Sequence, residues 1–286
     1  MTSQRSGEWA LKPPGEDPEV DVLIPSFGRP AELAVTLAGL AAQAGPAFRV
    51  ILSDQTEGAA ALDQPAVRAM VRVLEAQGRP VRLERHLPRR GLAEHRSYLL
   101  GLAEAPSVLL LDNDIWLEPG ALDRMNRALR AAGCGFVGSA VQGLSYLDDP
   151  RPHERGELVL WPDNEVQPER VRPGTDGFDR WPLHNAANLA HAAAELAIPP
   201  GQWRLYRVAW VGGCVLFDRR ALVDCGGFDF WDRLPSEHAG EDVAAQWRVM
   251  ERYGGAGIIP SGAVHLEAPT TVVHRDTDAA QEILDQ

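Results

Sequence analysis

The spacing of apolar residues along the first half of the chain predicts strands and helices in alternation. The most apolar run, Val108–Leu111, has four aliphatic residues in a row, typical of a strand buried on both faces. The same criteria predict earlier strands at 20–25, 48–53 and 81–85, and helices at 30–43, from 63–65 onward and at 91–104. This β-α-β-α-β-α-β order predicts an α/β fold in which the strands are parallel and the crossovers right-handed.

The pattern is less regular in the second half of the chain. Residues 143–207 are dense in proline, charge and aromatic residues without a clear period, and a stretch this long is usually functional. The other predicted elements are helices at 119–132, 185–196 and from 240–242 onward, and strands at 135–139, 208–217 and 257–260. The Gly212-Gly213 pair indicates a close approach of the backbone to a ligand or a neighbouring chain.

Composition narrows the functional classes. The chain has 286 residues and a formal net charge of −12, which argues against nucleic-acid binding and against adhesion to an anionic membrane. No apolar run reaches the roughly 20 residues of a membrane span, and the N-terminus lacks the apolar segment of a secretory signal. The three cysteines have no metal-like spacing, so we expect buried thiols and a cytoplasmic protein.

Two carboxylates directly follow the buried strand and are the first candidate site. Positions i and i+2 of an extended segment project to the same side, so Asp112 and Asp114 can converge at the carboxyl end of the strand. Their mutual repulsion would be relieved by a hard divalent cation such as Mg²⁺ or Mn²⁺. The alternative is a solvated loop, because an isolated Asp-x-Asp is short and common.

Further candidates lie late in the chain. Glu241 and Asp242 open a helix, where the dipole favours negative charge, and either could be a general base or only a complement to the dipole. His265 could ligate a metal or be an ordinary solvated histidine. Four aromatic residues could line a sugar or lipid surface, although a core position is the more common role for each: Trp161, Trp181, Trp203 and Tyr206.

The order of five motifs resembles the family 2 glycosyltransferases of the GT-A fold. The motifs are Val22-Leu-Ile-Pro-Ser-Phe-Gly-Arg, Gly91-Leu-Ala-Glu-His-Arg-Ser, Leu110-Leu-Asp-Asn-Asp-Ile, Gly226-Gly-Phe-Asp and Gly240-Glu-Asp-Val-Ala-Ala-Gln-Trp-Arg. The resemblance covers residues 19–268 and implies a Rossmann-like, doubly wound mixed sheet. A nucleotide-sugar-binding half (19–117) would be fused to an acceptor-binding and catalytic half (118–268), with a flexible arm (1–18) and a C-terminal tail (269–286).

The resemblance also implies roles for individual residues. Pro25 and Ser26 would bound the nucleotide pocket, with Asp54 reading the base. Arg96, Asp112 and Asn113 would complete the nucleotide site, Asp112 facing the ribose. Asp114 would hold Mn²⁺ or Mg²⁺, with His265 as a possible further ligand. Asp242 would be the general base, and Glu241 would orient the acceptor.

The implied activity is inverting transfer of a sugar from a nucleotide diphosphate, with a UDP-sugar favoured, to an acceptor hydroxyl. Ser53-Asp54-Gln55-Thr56 replaces the usual Asp-Asp of the family, which leaves the base open. The Gln-x-x-Arg-Trp signature of processive synthases is missing, which favours single transfers. An inactive nucleotide- or glycan-binding module and a sugar nucleotidyltransferase remain as alternatives, although Ser26–Pro30 is not the Gly-rich basic loop that the latter needs.

Overall fold

The computed structural model describes residues 5–11, 17–184, 187–272 and 276–284. Parts of the predicted arm (1–4 and 12–16) and of the predicted tail (273–275 and 285–286) therefore lie outside the described residues, as do the first residues of the helix predicted at 185–196.

The first half of the chain forms the elements that its periodicity predicts. The strands are β1 (Val20–Ser26), β2 (Phe48–Asp54), β3 (Val81–Arg85) and β4 (Ser107–Leu111), and the helices are α1 (Pro30–Ala41), α2 (Pro65–Ala76) and α3 (Leu92–Gly101). Proline at the first position suits α1 and α2, because the first helical N–H has no partner within the helix. The four strands are parallel neighbours in the order β3-β2-β1-β4, which confirms the predicted α/β fold.

The second half extends this sheet and adds a smaller one. Its strands are β5 (Ile115–Leu117), β6 (Phe136–Gly138), β7 (Gln142–Gly143), β8 (Arg204–Tyr206), β9 (Cys214–Asp218), β10 (Gly255–Ile259) and β11 (Ala263–His265). Its helices are α4 (Ala121–Ala132), α5 (Ala187–Glu195), α6 (Arg219–Asp224), α7 (Glu241–Tyr253) and α8 (Ala279–Leu284). Short 3₁₀ helices lie at Ser6–Leu11, Ala61–Asp63, Leu144–Tyr146, Pro152–Arg155, Pro162–Asn164, Asp176–His184 and Asp229–Arg233.

The large sheet has eight strands in the order β3-β2-β1-β4-β9-β6-β10-β8. β9 runs antiparallel to both of its neighbours, β4 and β6, and β8 is antiparallel to β10. The sheet is therefore mixed, as the resemblance implies. Buried side chains form one core with α1, α2 and α4 and another with α3, α6, α7 and α8, so helices cover both faces.

The strand predicted at 208–217 is wrong over its first half, because only Cys214–Asp218 is extended into the sheet. Gln246 of α7 explains the difference: its side-chain oxygen accepts the N–H of Val211, and its amide donates to the carbonyl of Val211, both at 2.8 Å. These backbone groups therefore bind a helix instead of a neighbouring strand. Gly213 then adopts a left-handed conformation (φ +74°), which turns the chain into β9.

The small sheet has the order β5-β11-β7 and brings residues 263–265 back to residues 115–117, which follow β4. β11 is antiparallel to β5, and His265 is the register partner of Ile115. This pairing brings His265 beside Asp114, the residue before Ile115. Residues far apart in sequence thus meet just beyond the carboxyl end of β4.

The predicted aromatic and sulfur positions divide as follows. Trp161 and Tyr206 are core residues, Trp203 packs partly buried against the core, and Trp181 is 49% exposed. All three cysteines are free thiols, two of them buried. No helix among the described residues combines the length and the apolar character needed to cross a bilayer.

Candidate functional site

The carboxyl ends of β1, β2 and β4 form the floor of the site. The register pairs Ser26 with Asp54, and the amide of Asn113 donates to the Ser26 hydroxyl at 3.2 Å. Ser26, Asp54 and Asn113 are all buried, together with Pro25. The predicted nucleotide residues Pro25, Ser26, Asp54 and Asn113 therefore meet at one edge of the sheet, as parallel strands require.

Asp54 is held by its own loop. One carboxylate oxygen accepts the N–H and the hydroxyl of Thr56, at 3.0 and 2.6 Å, and the other accepts the N–H of Ala61 at 2.7 Å. Asp54 thus shapes the loop after β2, and its contact with a base stays a prediction. The next residue, Gln55, is 2% exposed, and its side-chain nitrogen has no hydrogen-bond partner among the described residues.

Arg96 joins the two halves of the site. Its Nη2 donates to Asp112 at 3.0 Å, and its Nε lies 3.3 Å from the carboxylate of Glu241 at the start of α7. The side chains of Arg96 and Glu241 are 5% and 4% exposed, whereas that of Asp112 is 39% exposed. A buried guanidinium between two carboxylates satisfies charges that would otherwise be costly to bury.

The acidic groups interact strongly with one another. Burial raises the pKa of Glu241 to about 7 against the attraction of Arg96, and Asp242 and Asp112 raise it further. Desolvation also raises the pKa of Asp112 to about 6; Arg96 opposes the rise, and Asp114 and Asp242 add to it. Solvent reaching the partly exposed Asp112 weakens this effect. The carboxylates of Asp112, Asp114 and Asp242 therefore share one electrostatic environment, despite their separation in the sequence.

Asp242 differs from Glu241 in its surroundings, as consecutive positions on a helix should. Asp242 is half-buried, and one of its oxygens accepts the N–H of Val243 at 2.9 Å. The preceding Gly240 has φ +79°, a conformation that favours glycine, and this turn sets the direction in which α7 begins.

Asp114 pairs with Arg29, a basic residue to which the sequence analysis gives no role. Its Oδ2 accepts a hydrogen bond from Nη1 of Arg29, and the Nε2 of His265 lies 3.5 Å from the same oxygen. Arg29 also donates through Nη2 to the carbonyl of Pro269. Arg29 ends the first of the five motifs and lies in the loop after β1, at the same sheet edge as Asp114, but the sequence analysis assigns it no role.

His238 is a second residue that sequence reasoning missed. Its Nδ1 bonds to the carbonyl of Pro235 at 2.7 Å, and its Nε2 accepts the N–H of Ala93 at 3.1 Å. A side chain on Gly91 would meet the His238 ring at 2.7 Å, so this motif needs its glycine. The contact fixes the start of α3, which carries Arg96, against the loop before α7.

A family model described as "Glycosyltransferase like family 2" matches residues 18–279, almost the whole chain. The chain belongs to this family. A comparison with curated proteins yields no match.

Solved structures agree with this family 2 fold. S. aureus TarS 1-349 superimposes with a TM-score of 0.54 at 12% identity, covering 86% of this chain and 60% of that one. The mannosyltransferase PcManGT from Pyrobaculum calidifontis, in complex with GDP-Man and Mn²⁺, gives 0.54 at 17% identity, covering 94% and 64%. TarS 1-349 in complex with UDP-GlcNAc gives 0.53 at 10% identity, covering 89% and 60%. This family 2 chain thus spans less than two thirds of these chains.

This family 2 site offers a divalent cation part of the ligand set that it needs. Asp114 and His265 offer a carboxylate oxygen and an imidazole nitrogen close together, and Mg²⁺ and Mn²⁺ commonly take their remaining ligands from substrate phosphates and water. No group of three or more His, Cys, Asp or Glu side chains among the described residues is placed to hold a metal ion. Since His265 Nδ1 accepts the N–H of Glu267 at 2.9 Å, the proton of the neutral ring lies on Nε2. For Nε2 to ligate a metal, this proton would have to move to Nδ1, which would then give up its bond with the N–H of Glu267.

Proposed function

We propose that this chain is a metal-dependent glycosyltransferase that moves a sugar from a nucleotide diphosphate to an acceptor hydroxyl. The observation that carries the proposal is the Arg96 bridge, which joins Asp112 at the end of β4 to Glu241 at the start of α7. In this proposal the bridge holds the nucleotide site of the first half beside the first turn of α7, where Asp242 accepts a proton. The family membership supports the same reaction.

The nucleotide-sugar half is residues 19–117 in this proposal, and the acceptor half is residues 118–268. Pro25, Ser26 and Asn113 line the nucleotide pocket, and Asp112, held by Arg96, faces the ribose. The complexes of TarS with UDP-GlcNAc and of PcManGT with GDP-Man support a nucleotide-sugar donor without favouring either base. The preference for a UDP-sugar comes from the family resemblance of the sequence. Gln55, whose amide nitrogen has no hydrogen-bond partner in the part of the chain that the structure describes, is a further candidate for contact with the base.

Asp114, together with His265, would hold the cation, Mn²⁺ or Mg²⁺. When bound, this cation supplies Lewis-acid stabilisation of the departing diphosphate. Asp242 takes the proton of the acceptor hydroxyl during attack, which contributes typically about 10²–10⁴ in rate. Attack from the side opposite the diphosphate gives inversion in one displacement. Glu241 is the base's neighbour and orients the acceptor through its fixed position beside Arg96.

The test is the rate of sugar transfer and of UDP-sugar hydrolysis with Mn²⁺, measured for Asp114→Ala and Asp242→Asn. Asp242→Asn should lower transfer by about 10²–10⁴ and leave the KM for the donor nearly unchanged. Asp114→Ala should remove the metal dependence together with most of the rate. Asp224→Asn, which changes a carboxylate on α6, is the matched control and should behave as the wild type.

Two other classes give different results in the same assays. A binding module would bind UDP and Mn²⁺ in calorimetry but turn over no donor. A nucleotidyltransferase would release pyrophosphate from a nucleoside triphosphate. Metal-independent turnover that survives Asp114→Ala would contradict the proposed function.

A further inference from the structure

Arg29 occupies the place that a cation on Asp114 would need. The Asp114 side chain is 5% exposed, and Oδ2 is the atom that faces both Arg29 and His265. The guanidinium of Arg29, whose side chain is only 14% exposed, donates directly to this oxygen. A divalent cation bound at Oδ2 would therefore meet a fixed positive charge at contact distance, and the two cations repel each other.

Arg29 must move before the metal site can form, and the chemistry of the donor supplies a reason for it to move. A guanidinium matches the geometry of phosphate oxygens and binds them through paired hydrogen bonds. Arg29 lies in the loop between β1 and α1, at the sheet edge where Ser26 and Asn113 line the nucleotide pocket. A diphosphate entering this pocket offers Arg29 more negative charge than one carboxylate does.

We propose that Arg29 is a ligand of the donor diphosphate, and that it leaves Asp114 for the diphosphate when the donor binds. This inference rests on the proposed function and adds an order of assembly to it. Without a donor, Arg29 neutralises Asp114 and keeps cations away. With a donor, Asp114 becomes available to the cation at the moment when the phosphate oxygens complete its ligand set.

The segment after β11 takes part in the same exchange. The N–H of Leu266 donates to the Asp114 carbonyl at 2.9 Å, and the carbonyl of Pro269 accepts from Arg29. Departure of Arg29 therefore frees both Asp114 and the Pro269 carbonyl. The segment loses one of its attachments to the loop after β1 only when the donor is present.

The exchange predicts a reciprocal coupling between two ligands. UDP should strengthen Mn²⁺ binding, and Mn²⁺ should strengthen UDP binding by the same factor. Arg29→Gln removes the competing charge and also a diphosphate ligand. This variant should bind Mn²⁺ at least about fivefold more tightly than the wild type without UDP, bind UDP more weakly without metal, and show a smaller coupling factor.

The experiment measures free Mn²⁺ by electron paramagnetic resonance, with and without UDP, for the folded full chain. Arg124→Gln is the matched control: Arg124 also pairs with one carboxylate, Glu118, and one backbone carbonyl, that of Ser261, and is 12% exposed. It should keep the wild-type affinities. Arg29→Lys retains the charge without the planar fork, so its Mn²⁺ affinity without UDP should stay near that of the wild type while its affinity for UDP falls.

Equal Mn²⁺ affinities of Arg29→Gln and the wild type without UDP would overturn the proposal, and so would unchanged UDP affinity in both Arg29 variants. Circular dichroism checks that each variant is folded. If Arg29→Gln does not fold, the UDP affinity of Arg29→Lys alone decides whether Arg29 binds the diphosphate. If UDP strengthens Mn²⁺ binding but neither Arg29 variant changes it, only the proposed exchange of Arg29 is wrong. If Mn²⁺ does not bind either with or without UDP, both the exchange and the metal dependence of the proposed function are wrong.

Discussion

Glu241 is a buried acid whose charge is compensated by one arginine and opposed by two other carboxylates. Its pKa is raised to about 7 because burial outweighs the attraction of Arg96. A carboxyl group with a raised pKa binds more protons in the folded than in the unfolded state between its two pKa values. The free energy of unfolding therefore falls as the pH rises through this window, from the ordinary value of 4.5 to about 7.

Glu241→Gln should remove this pH dependence. Between about pH 5 and about pH 8 the wild type should lose roughly 2–3 kcal/mol more stability than the variant, at about 1.4 kcal/mol per pKa unit. Urea denaturation at both pH values measures the difference. Glu282→Gln, at an exposed position on α8, serves as the control and should follow the wild type. Parallel curves for Glu241→Gln and the wild type would show that Glu241 titrates normally.

Sequence reasoning at the residue scale located most of the acidic groups and two of their partners, Arg96 and His265, but not Arg29. Asp112 and Asp114 were found because a buried strand ends directly before them, and Glu241 and Asp242 because they open a helix. Arg29 was not found, because its contact with Asp114 spans 85 positions and depends on the conformation of two loops. Pairing over such distances leaves no periodic signal in a single sequence.

At the scale of elements, the contact between α7 and the segment before β9 holds the second half of the site together. Gln246 is fully buried and pairs with both backbone groups of Val211, as a neighbouring strand would. The indole of Trp247 adds a bond to the Ala209 carbonyl at 2.8 Å. Gly213, at the end of this segment, accepts the N–H of Asp112 at 2.8 Å. The segment thus connects the helix of Asp242 to the loop of Asp112.

Gln246→Met should destabilise the protein by about 2–5 kcal/mol, because it leaves two buried backbone groups without partners at about 1–3 kcal/mol each. The midpoint of denaturant unfolding measures this, with Gln281→Met at an exposed position of α8 as the control. Equal midpoints for the two variants would mean that Val211 finds other partners, and that Gln246 does not hold the segment.

The elements predicted correctly are those whose own hydrophobic pattern determines them. β1 to β4 and α1 to α3 follow from local periodicity, and their parallel order follows from the rules of β-α-β crossovers. The segment 208–213 is predicted as a strand because it is apolar, but the backbone groups of Val211 and the carbonyl of Ala209 bond to side chains of α7, more than thirty positions away. The antiparallel insertion of β9 between β4 and β6 was likewise not predicted, because strand order depends on the whole chain.

At the scale of the whole molecule, the proposed ligands bind between residues from both halves. Asp112 and Asn113 come from the first half, and Glu241, Asp242 and His265 come from the second. Arg96 crosses from one to the other. A ligand held by both halves stabilises the chain as one unit, because any ligand that binds only the folded state shifts the unfolding equilibrium.

UDP together with Mn²⁺ should therefore raise the unfolding temperature of the whole chain, which should still unfold in one transition. At about 100 times the dissociation constant the gain is about 2.7 kcal/mol, which corresponds to several degrees for a chain of this size. Differential scanning fluorimetry measures the shift, with GDP in parallel to compare the bases. Asp114→Asn should lose the metal-dependent part, and Asp224→Asn should retain it. If GDP raised the unfolding temperature and UDP did not, the donor would carry guanine instead of uracil.

The position of β9 has a consequence for synthesis of the chain. β9 occupies the edge of β4, but the ribosome adds it about 100 residues after β4, at typically 5–20 residues per second. During that interval the nascent chain exposes an apolar strand with an unpaired edge, the kind of surface that invites pairing with other chains. Fragments ending before residue 214 should therefore aggregate or require a chaperone, so expression of the first half alone would give a poor substitute for the whole protein.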